Sequence, residues 1–216
     1  MELQTGAVEK TTFALLAKLM NEAALADFFL VGGTALALRL GHRISVDLDM
    51  FTRDDIPVQA LQKELAAAYG FSETFRAKNT LKGEIEGVKV DFITYDYPLL
   101  HPLEKTEENI RIADTGDIIA MKLSAITDAG TRMKDFVDIA FLSTHFTLKQ
   151  MVGFYTEKYA GVNPISPVRA LVYHKDINMS DTVRLTTGTF SWQRIQDRLY
   201  AMVDHPDRLF TDYPTA

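Results

Sequence analysis

The sequence has no cysteine among its 216 residues. This absence excludes disulfide frameworks, thiolate nucleophiles and zinc sites built on cysteine. The five histidines show no pair at metal-ligand spacing, so zinc hydrolase chemistry has little support either. Any bound metal is therefore expected to take oxygen or imidazole ligands.

Long apolar segments are also missing. No run approaches the roughly 18 to 20 residues of a membrane-spanning helix, and the N-terminal MELQTGAVEK lacks the pattern of a signal peptide. Glycine (12) and proline (7) are too few for a collagenous or low-complexity chain, and 47% hydrophobic residues suffice for a core. We therefore expect a globular, cytoplasmic protein.

An excess of basic residues is absent as well. The 23 Lys and Arg against 29 Asp and Glu give a formal net charge of −6 at pH 7. This balance argues against tight non-specific binding of nucleic acid, which depends on a clustered basic footprint. A local basic cleft remains compatible with it.

Alternating and apolar segments predict a sheet in the first half of the chain. Residues 44–51, ISVDLDMF, alternate apolar and polar side chains, as a strand with one buried face does. Glu86 and Gly87 are typical of a hairpin turn between two further strands. The predicted strands are residues 28–31, 44–51, 71–78, 81–85 and 88–95.

From Asp117 onward the apolar spacing is helical. We therefore expect an α/β fold of the α+β kind, with a small mixed sheet and flanking helices in residues 1–115. Residues 116–216 are expected to form a helical region that completes an active-site cleft. The predicted helices are residues 8–25, 34–40 ended by Gly41, 57–69 ended by Gly70, 118–126, 132–142, 148–159, 167–173 and 191–203.

A double glycine opens the helix predicted after the first strand. Backbone N–H groups at such a turn approach an anion closely, and the helix dipole favours phosphate. Gly32 and Gly33 are therefore candidate phosphate-binding residues, and Thr34 adds a hydroxyl donor. A Gly-Gly pair alone is more often an ordinary turn, so this interpretation depends on the residues that follow.

An Asp-x-Asp pair follows the glycines on the strand predicted at 44–51. Asp47 and Asp49 lie two residues apart and so share its polar face, where their oxygens suit Mg²⁺, or Mn²⁺ in its place. Asp91, on the polar side of the strand 88–95, would complete a three-carboxylate cluster. The alternative is that these acids are solvated strand residues, although acids are depleted in strands. Arg43 and Ser45 are second-tier phosphate ligands, and Arg43 could equally support Asp47.

Three acids around two cations form the arrangement used in nucleotidyl transfer. One ion lowers the pKa of the attacking hydroxyl and the other neutralises the leaving pyrophosphate. The three carboxylates therefore predict this reaction class, with Asp91 serving the nucleophile-side ion or acting as a base.

The stretches GGTALALRLGHRISVDLDMF and KLSAITDAGTRMKDFVDIAFL resemble the AbiEii/AbiGii-type toxins, minimal nucleotidyltransferases of the DNA polymerase β-like superfamily. The resemblance implies that Lys122 contacts the nucleotide triphosphate and that Lys134 and Asp135 assist at the same pocket. Asp138 is counted with the nucleotide-binding residues. The matching positions are Gly32, Gly33, Asp47, Asp49, Asp91, Lys122, Arg132, Lys134, Asp135 and Asp138.

Structural alternatives exist for the second stretch. Lys122 could extend from an apolar helix to solvent, and RMKDFVD could be a salt-bridged helix surface. In that case Lys134 and Asp138, four residues apart, would pair on one helix face.

The expected function is Mg²⁺-dependent transfer of an NMP from an NTP to an acceptor hydroxyl. The resemblance implies an RNA acceptor, including transfer RNA 3′ ends, and a cognate antitoxin protein as partner. Two alternatives stay open: a nucleotide-binding interaction module without transfer activity, and nucleotidylylation or phosphorylation of a protein hydroxyl.

Overall fold

A computed structural model describes residues 3–216 and divides into two compact units. The first comprises the chain up to Pro98 together with Pro102–Ala113. The second comprises Leu99–His101 together with Asp114–Ala216. Within the described residues the strands all lie in the first unit and the second is helical, which confirms the predicted α+β class.

Seven strands of the described chain form one mixed sheet: β1 (Phe29–Val31), β2 (Leu48–Thr52), β3 (Ser72–Ala77), β4 (Thr80–Ile85), β5 (Val88–Thr94), β6 (Glu104–Lys105) and β7 (Arg111–Ile112). Their order across the sheet is β3-β4-β5-β2-β1-β7-β6. The pairs β2–β5 and β1–β7 are parallel and the other pairs are antiparallel. The two-residue strands β6 and β7 were not predicted, because they are too short to show a period.

One face of the sheet is buried and the other carries polar side chains. Along β2, Leu48 and Met50 are buried, whereas Asp49 and Phe51 are only half-buried. β5 alternates in the same way, and its Asp91 is in register with Asp49. Because residues in register on neighbouring strands project to the same side, both aspartates lie on the half-exposed face.

The strand predicted at 44–51 starts later than expected, at Leu48. Ser45 forms only an isolated bridge to Val8, and its amide donates to the carbonyl of Ala7 at 2.9 Å. The segment before Leu48 therefore pairs with the N-terminal segment of the chain and not with a neighbouring strand of the sheet. Asp47 lies just outside β2 for this reason.

Three helices accompany the sheet in the first unit: α1 (Lys10–Leu19), α2 (Gly32–Leu40) and α3 (Val58–Tyr69). Gly41 and Gly70 cap α2 and α3 with left-handed backbone, as predicted. α1 is shorter than the predicted 8–25, with a short 3₁₀ turn at Ala23–Leu25 after it. The predicted hairpin turn is confirmed, since Glu86 and Gly87 both have positive φ.

The second unit contains five described helices: α4 (Thr115–Asp128), α5 (Met133–Leu142), α6 (Leu148–Lys158), α7 (Ile165–Ala170) and α8 (Trp192–Asp204). Side chains of Asp114, Thr147 and Ser191 cap α4, α6 and α8 at their N-termini. No helix within residues 3–216 has the length and apolar character needed to cross a bilayer.

Candidate active site

Asp49 packs against the glycine turn at the start of α2. Gly32 has a φ of +70°, and a Cβ atom built there would lie 2.1 Å from Oδ2 of Asp49. Glycine is therefore required at this position for two reasons: the backbone is left-handed, and the carboxylate fills the space that a side chain would need. The turn places a negative charge near the positive end of the helix dipole, which is favourable.

Arg43 lies beside Gly33 in a similar way. A Cβ atom built at Gly33 would lie 2.6 Å from Nη2 of Arg43 and 3.5 Å from Oγ of Ser45. Arg43 is 3% exposed and Ser45 is 7% exposed. Both second-tier residues therefore lie at the glycine turn.

The hydroxyl of Thr34 connects α2 to the segment before β2. Thr34 is 1% exposed, and its Oγ1 lies 2.8 Å from Oγ of Ser45 and also contacts the carbonyl oxygen of Asp47. Sequence reasoning assigned this hydroxyl to a phosphate. In the structure it bonds to the Asp47 backbone and so fixes the point at which β2 begins.

Asp49 and Asp91 form a pair of like charges across β2 and β5. Adjacent strands lie about 4.8 Å apart, so carboxylates in register repel each other unless a cation is near. Lys82 lies opposite Asp91 on β4, and its Nζ is 2.5 Å from Oδ2 of Asp91. The Asp91 side chain keeps 24% of its exposure, so a ligand from solvent can still reach it.

Lys82 was missed by sequence reasoning, although a signal for it existed. A two-residue turn at Glu86 and Gly87 pairs Ile85 with Val88. Three residues farther from the turn on each strand, Lys82 therefore lies opposite Asp91. The register of Asp49 with Asp91 had no such signal, because β2 and β5 are parallel and far apart in sequence.

The donor set on this face suits a hard divalent cation. Carboxylate oxygens are the ligands that Mg²⁺ prefers, and Asp49 and Asp91 offer them from adjacent strands. An oxygen of the Asp49 carboxylate occupies the space that a side chain at position 32 would fill. Among residues 3–216, no three His, Asp or Glu side chains are already grouped as a metal site. Asp47, the third predicted carboxylate, is half-buried and lies one residue before β2.

In the second unit, Lys122 is enclosed by two aspartates of the neighbouring helix. Its Nζ lies 2.9 Å from Oδ1 of Asp135 and 2.6 Å from Oδ2 of Asp138. The three side chains are 6%, 6% and 0% exposed. This cluster joins α4 to α5, and Asp138 thus pairs across helices. Lys122 does not extend to solvent.

Lys134 and Arg132 remain at the surface of the same region. Lys134 is half-buried in the first turn of α5, and Arg132 is exposed, with its Nε 3.9 Å from Oδ2 of Asp135. Of the two lysines predicted as site residues in this unit, Lys134 is the more accessible, since Lys122 is buried.

A second buried ion pair was not predicted. Nζ of Lys158 lies 2.5 Å from Oδ1 of Asp117, and both side chains are fully buried. Asp117 also accepts hydrogen bonds from the backbone amide of Leu100 at 3.1 Å. The pair joins α4, α6 and the segment Leu99–His101, and it could not be predicted because its members are 41 residues apart.

Burial shifts the pKa of groups that lie away from the predicted residues. Burial, and then a hydrogen bond to Glu22, raises the pKa of Tyr69 to about 12. Burial also lowers the pKa of His174, although the carbonyl of Leu171 partly opposes this. The His174 ring lies 2.8 Å from that carbonyl and 3.1 Å from Nε2 of Gln196. Nε2 of His174 thus faces the carbonyl oxygen of Leu171, and Nδ1 faces the side-chain amide of Gln196.

The mixed sheet, the glycine turn and the paired acids are the arrangement that the sequence predicted for a nucleotidyltransferase. The same fold is found in MenT4, a nucleotidyltransferase toxin from Mycobacterium tuberculosis, with a TM-score of 0.60. The match covers 94% of this chain and 87% of that one at 16% sequence identity. At this identity the likeness concerns the fold alone.

The family follows from the sequence match. The model of the nucleotidyl transferase AbiEii toxins, of type IV toxin–antitoxin systems, matches residues 14–170. The chain belongs to this AbiEii family, which confirms the predicted resemblance. It is also 35% identical over 166 residues to an uncharacterised protein of Aquifex aeolicus, in a match that covers 74% of this chain and 80% of that protein.

Proposed function

We propose that this AbiEii-family protein transfers an NMP from an NTP to the hydroxyl of an acceptor with the help of Mg²⁺. The observation that carries the proposal is the register of Asp49 with Asp91 on one half-exposed sheet face, beside the glycine turn that leads into α2. Membership of a nucleotidyl transferase family supports the reaction class.

Asp49 and Asp91 would hold the divalent cation, with Asp47 as a further ligand from the start of β2. A bound Mg²⁺ would supply charge stabilisation at the reacting phosphate and favour the deprotonated acceptor hydroxyl. The protein's own contribution is to fix both carboxylates on adjacent strands before the substrate arrives. Asp91 is also placed to accept a proton, because its half-exposed carboxylate faces solvent beside Lys82.

The triphosphate would bind at Gly32 and Gly33. Backbone N–H groups at the start of α2 can donate to phosphate oxygens, and the helix dipole favours negative charge there. Arg43 and Ser45 lie beside Gly33 and are placed to support this end of the helix. Thr34 would act indirectly, through its bond to the Asp47 carbonyl.

In the helical unit, Lys134 would provide the accessible positive charge for the substrate. Lys122 is held between Asp135 and Asp138 in a buried ion-pair cluster, so we assign the three residues to positioning α5 and with it Lys134. Contact of Lys122 with the triphosphate, which the resemblance implies, requires this cluster to open, and so does assistance by Asp135 at the same pocket. A variant such as Lys122→Arg, which keeps the charge, tests whether substrate affinity or only stability changes.

The acceptor and the partner follow from the family and not from the site. We propose an RNA acceptor, with transfer RNA as the first RNA to test, and a cognate antitoxin protein, since the family is one of toxins of type IV toxin–antitoxin systems. The cytoplasmic location expected from the sequence belongs to the same proposal.

The test is incubation of purified protein with Mg²⁺, each labelled NTP and total cellular RNA, followed by separation of labelled RNA from labelled protein. The matched control is the Asp47→Ala/Asp49→Ala double variant. Label on RNA with the wild type alone supports the proposal and identifies the nucleotide. Label on protein alone contradicts the RNA acceptor, and NTP binding without any label supports a non-catalytic module.

A further inference from the structure

A row of four side chains crosses the half-exposed face of the sheet. Asp49 pairs in register with Asp91, Asp91 with Lys82, and Lys82 with Phe75 on β3. Residues in register on neighbouring strands project to the same side of a sheet. The Lys82 side chain keeps 38% of its exposure, and Phe75 is 52% exposed. The row therefore leads from the paired carboxylates through a cation to an open aromatic ring.

Phe75 reaches this face because of an irregularity in β3. The register of β3 with β4 shifts by one residue between Glu73 and Phe75. Without the shift, Thr74 would lie opposite Lys82, and Phe75 would lie opposite the buried Leu81. The extra residue thus turns a phenylalanine from the buried face to the half-exposed one, and the chain forgoes the stabilisation that burial of the ring would give. β-Bulges next to active sites commonly redirect a side chain in this way, which indicates that the ring contacts a ligand.

The two ends of the row lie on opposite sides of the carboxylates. The glycine turn follows β1 and contacts Asp49, whereas β4 and β3 lie beyond Asp91 in the order of the sheet. In the proposed reaction the triphosphate binds at Gly32 and Gly33, so pyrophosphate leaves on that side. The acceptor oxygen bonds to the α-phosphorus as the bond to pyrophosphate breaks, and its proton passes to Asp91 or to water. Because the attacking and leaving oxygens are roughly in line, the acceptor approaches from the side of β4 and β3.

We propose that Lys82 and Phe75 bind the terminal nucleotide of a polynucleotide acceptor. Its base stacks on the exposed ring of Phe75, and its phosphate contacts the ammonium of Lys82. An ammonium group has three donors, so Lys82 can contact a phosphate oxygen while it pairs with Asp91. Two strand spacings, about 10 Å, separate the backbones of Asp91 and Phe75, which one nucleotide spans with its hydroxyl at the carboxylates and its base at the ring.

The chemistry of the row favours a nucleotide over the hydroxyl of a protein acceptor. A cation beside an exposed ring matches a phosphate and a base, which are the two binding groups of one nucleotide. Every base has a face that can stack, so this site would hold the end of the acceptor without selecting its sequence.

The test of the ring is fluorescence anisotropy of a 5′-labelled hexaadenylate in Mg²⁺ without NTP. The same RNA lacking only its 3′-terminal base is the matched ligand, and Tyr173→Ala, which removes a tyrosine of 49% exposure in the helical unit, is the matched variant. We expect Phe75→Ala to weaken binding about five- to a hundredfold and Phe75→Tyr to retain it. Removal of the terminal base should weaken binding by the wild type and by Tyr173→Ala, but hardly by Phe75→Ala. Circular dichroism checks the fold of each variant.

The test of the cation is the salt dependence of the same binding. Lys82→Ala should lower the slope of log affinity against log salt by about 0.7, because one phosphate contact is lost. Lys82→Arg keeps the charge and should keep the slope, and Lys63→Ala, which removes an exposed lysine of α3, should keep it as well. An unchanged slope in Lys82→Ala would overturn the phosphate contact.

The inference rests on the proposed function, yet its test does not depend on transfer. Binding that requires both Phe75 and the terminal base, with NTP affinity unchanged, supports it even if no label is ever transferred. Labelling of RNA by the wild type, together with equal binding by Phe75→Ala and Tyr173→Ala, would overturn the inference and leave the proposed function standing. Equal loss of NTP affinity in Phe75→Ala would assign the ring to the base of the NTP and overturn it too. Absence of RNA binding by the wild type would also overturn it, and would leave the ring as a candidate contact for a protein partner.

Discussion

Asp49 and Asp91 of the sheet unit lie half-buried beside each other, whereas in the helical unit Lys122 is buried between Asp135 and Asp138 and forms ion pairs with both. In the first arrangement Lys82 pairs with Asp91, and the half-exposed carboxylates offer oxygens that a divalent cation can bind; in the second, the buried lysine already pairs with both carboxylates. Both sets were candidate site residues from the sequence. The difference teaches that residues predicted from one family resemblance can divide into a group that can bind a ligand and a group that supports the fold.

The largest effect is expected from a substitution in the half-exposed pair. Asp49→Asn should lower nucleotidyl transfer about a thousandfold, because a metal ligand supplies several kcal/mol of transition-state stabilisation and 1.4 kcal/mol is tenfold. Stability should change little, since the carboxylate is not part of the core. Labelled-nucleotide transfer and urea unfolding followed by circular dichroism measure the two effects. Transfer at the wild-type rate would refute the assignment of Asp49.

The opposite result is expected for the buried cluster. Lys122→Met leaves two buried carboxylates without their cation and should destabilise the helical unit by about 3 to 5 kcal/mol. Trp192 fluorescence reports this unfolding, because the indole contacts the rings of Phe136 and His174. A triple variant with Asp135→Asn and Asp138→Asn should recover part of the loss. Unchanged stability in Lys122→Met would contradict the supporting role.

A comparison of two glycine variants tests the role of the Asp49 site with a smaller expected loss of stability. Gly32→Ala and Gly70→Ala both introduce a Cβ at positive φ, a strain of about 1 to 2 kcal/mol. Only at Gly32 does that Cβ meet the Asp49 carboxylate, and nothing lies within 4 Å of it at Gly70. Both variants should therefore lose stability, but only Gly32→Ala should lose transfer activity. Equal activities would show that the Gly32–Asp49 contact does not matter for catalysis.

The smallest effect is a pH dependence in the helical unit. Burial holds the pKa of His174 below its usual 6.5, so the unfolded chain binds a proton more readily than the folded one. Stability should therefore fall as the pH drops below about 6.5, by at most about 1.4 kcal/mol per pH unit from this group. Unfolding of His174→Gln, followed by Trp192 fluorescence, should show a shallower dependence between pH 6.5 and 5. An identical slope would exclude this histidine as a source.

Local features of the fold could be read from the sequence because their causes are local. The alternation of β5, the caps at Gly41 and Gly70 and the turn at Glu86 and Gly87 follow from residue type and period. The late start of β2 could not be read in this way. It results from contacts of Ser45 with Ala7 and of Thr34 with Asp47, which join distant parts of the chain.

In the candidate site, too, some residues could be predicted from the sequence and others could not. Gly32, Asp49 and Asp91 were predicted from their motifs, and the structure brings these three together on the sheet unit. The burial of Lys122 between two aspartates was not predicted, because a helical period places a residue on a face without saying what covers that face. The Lys158–Asp117 pair was missed for the same reason.

The central claim is that the half-exposed carboxylates of the sheet bind a divalent cation and do not stabilise the fold. Titration with Mn²⁺, followed by electron paramagnetic resonance of the free ion, tests it most directly in the wild type and in Asp49→Asn/Asp91→Asn. We predict that the wild type binds Mn²⁺ and releases it to excess Mg²⁺, and that the double variant loses this binding but keeps its unfolding midpoint. Equal Mn²⁺ binding by the two proteins, or unfolding of the double variant, would contradict the account.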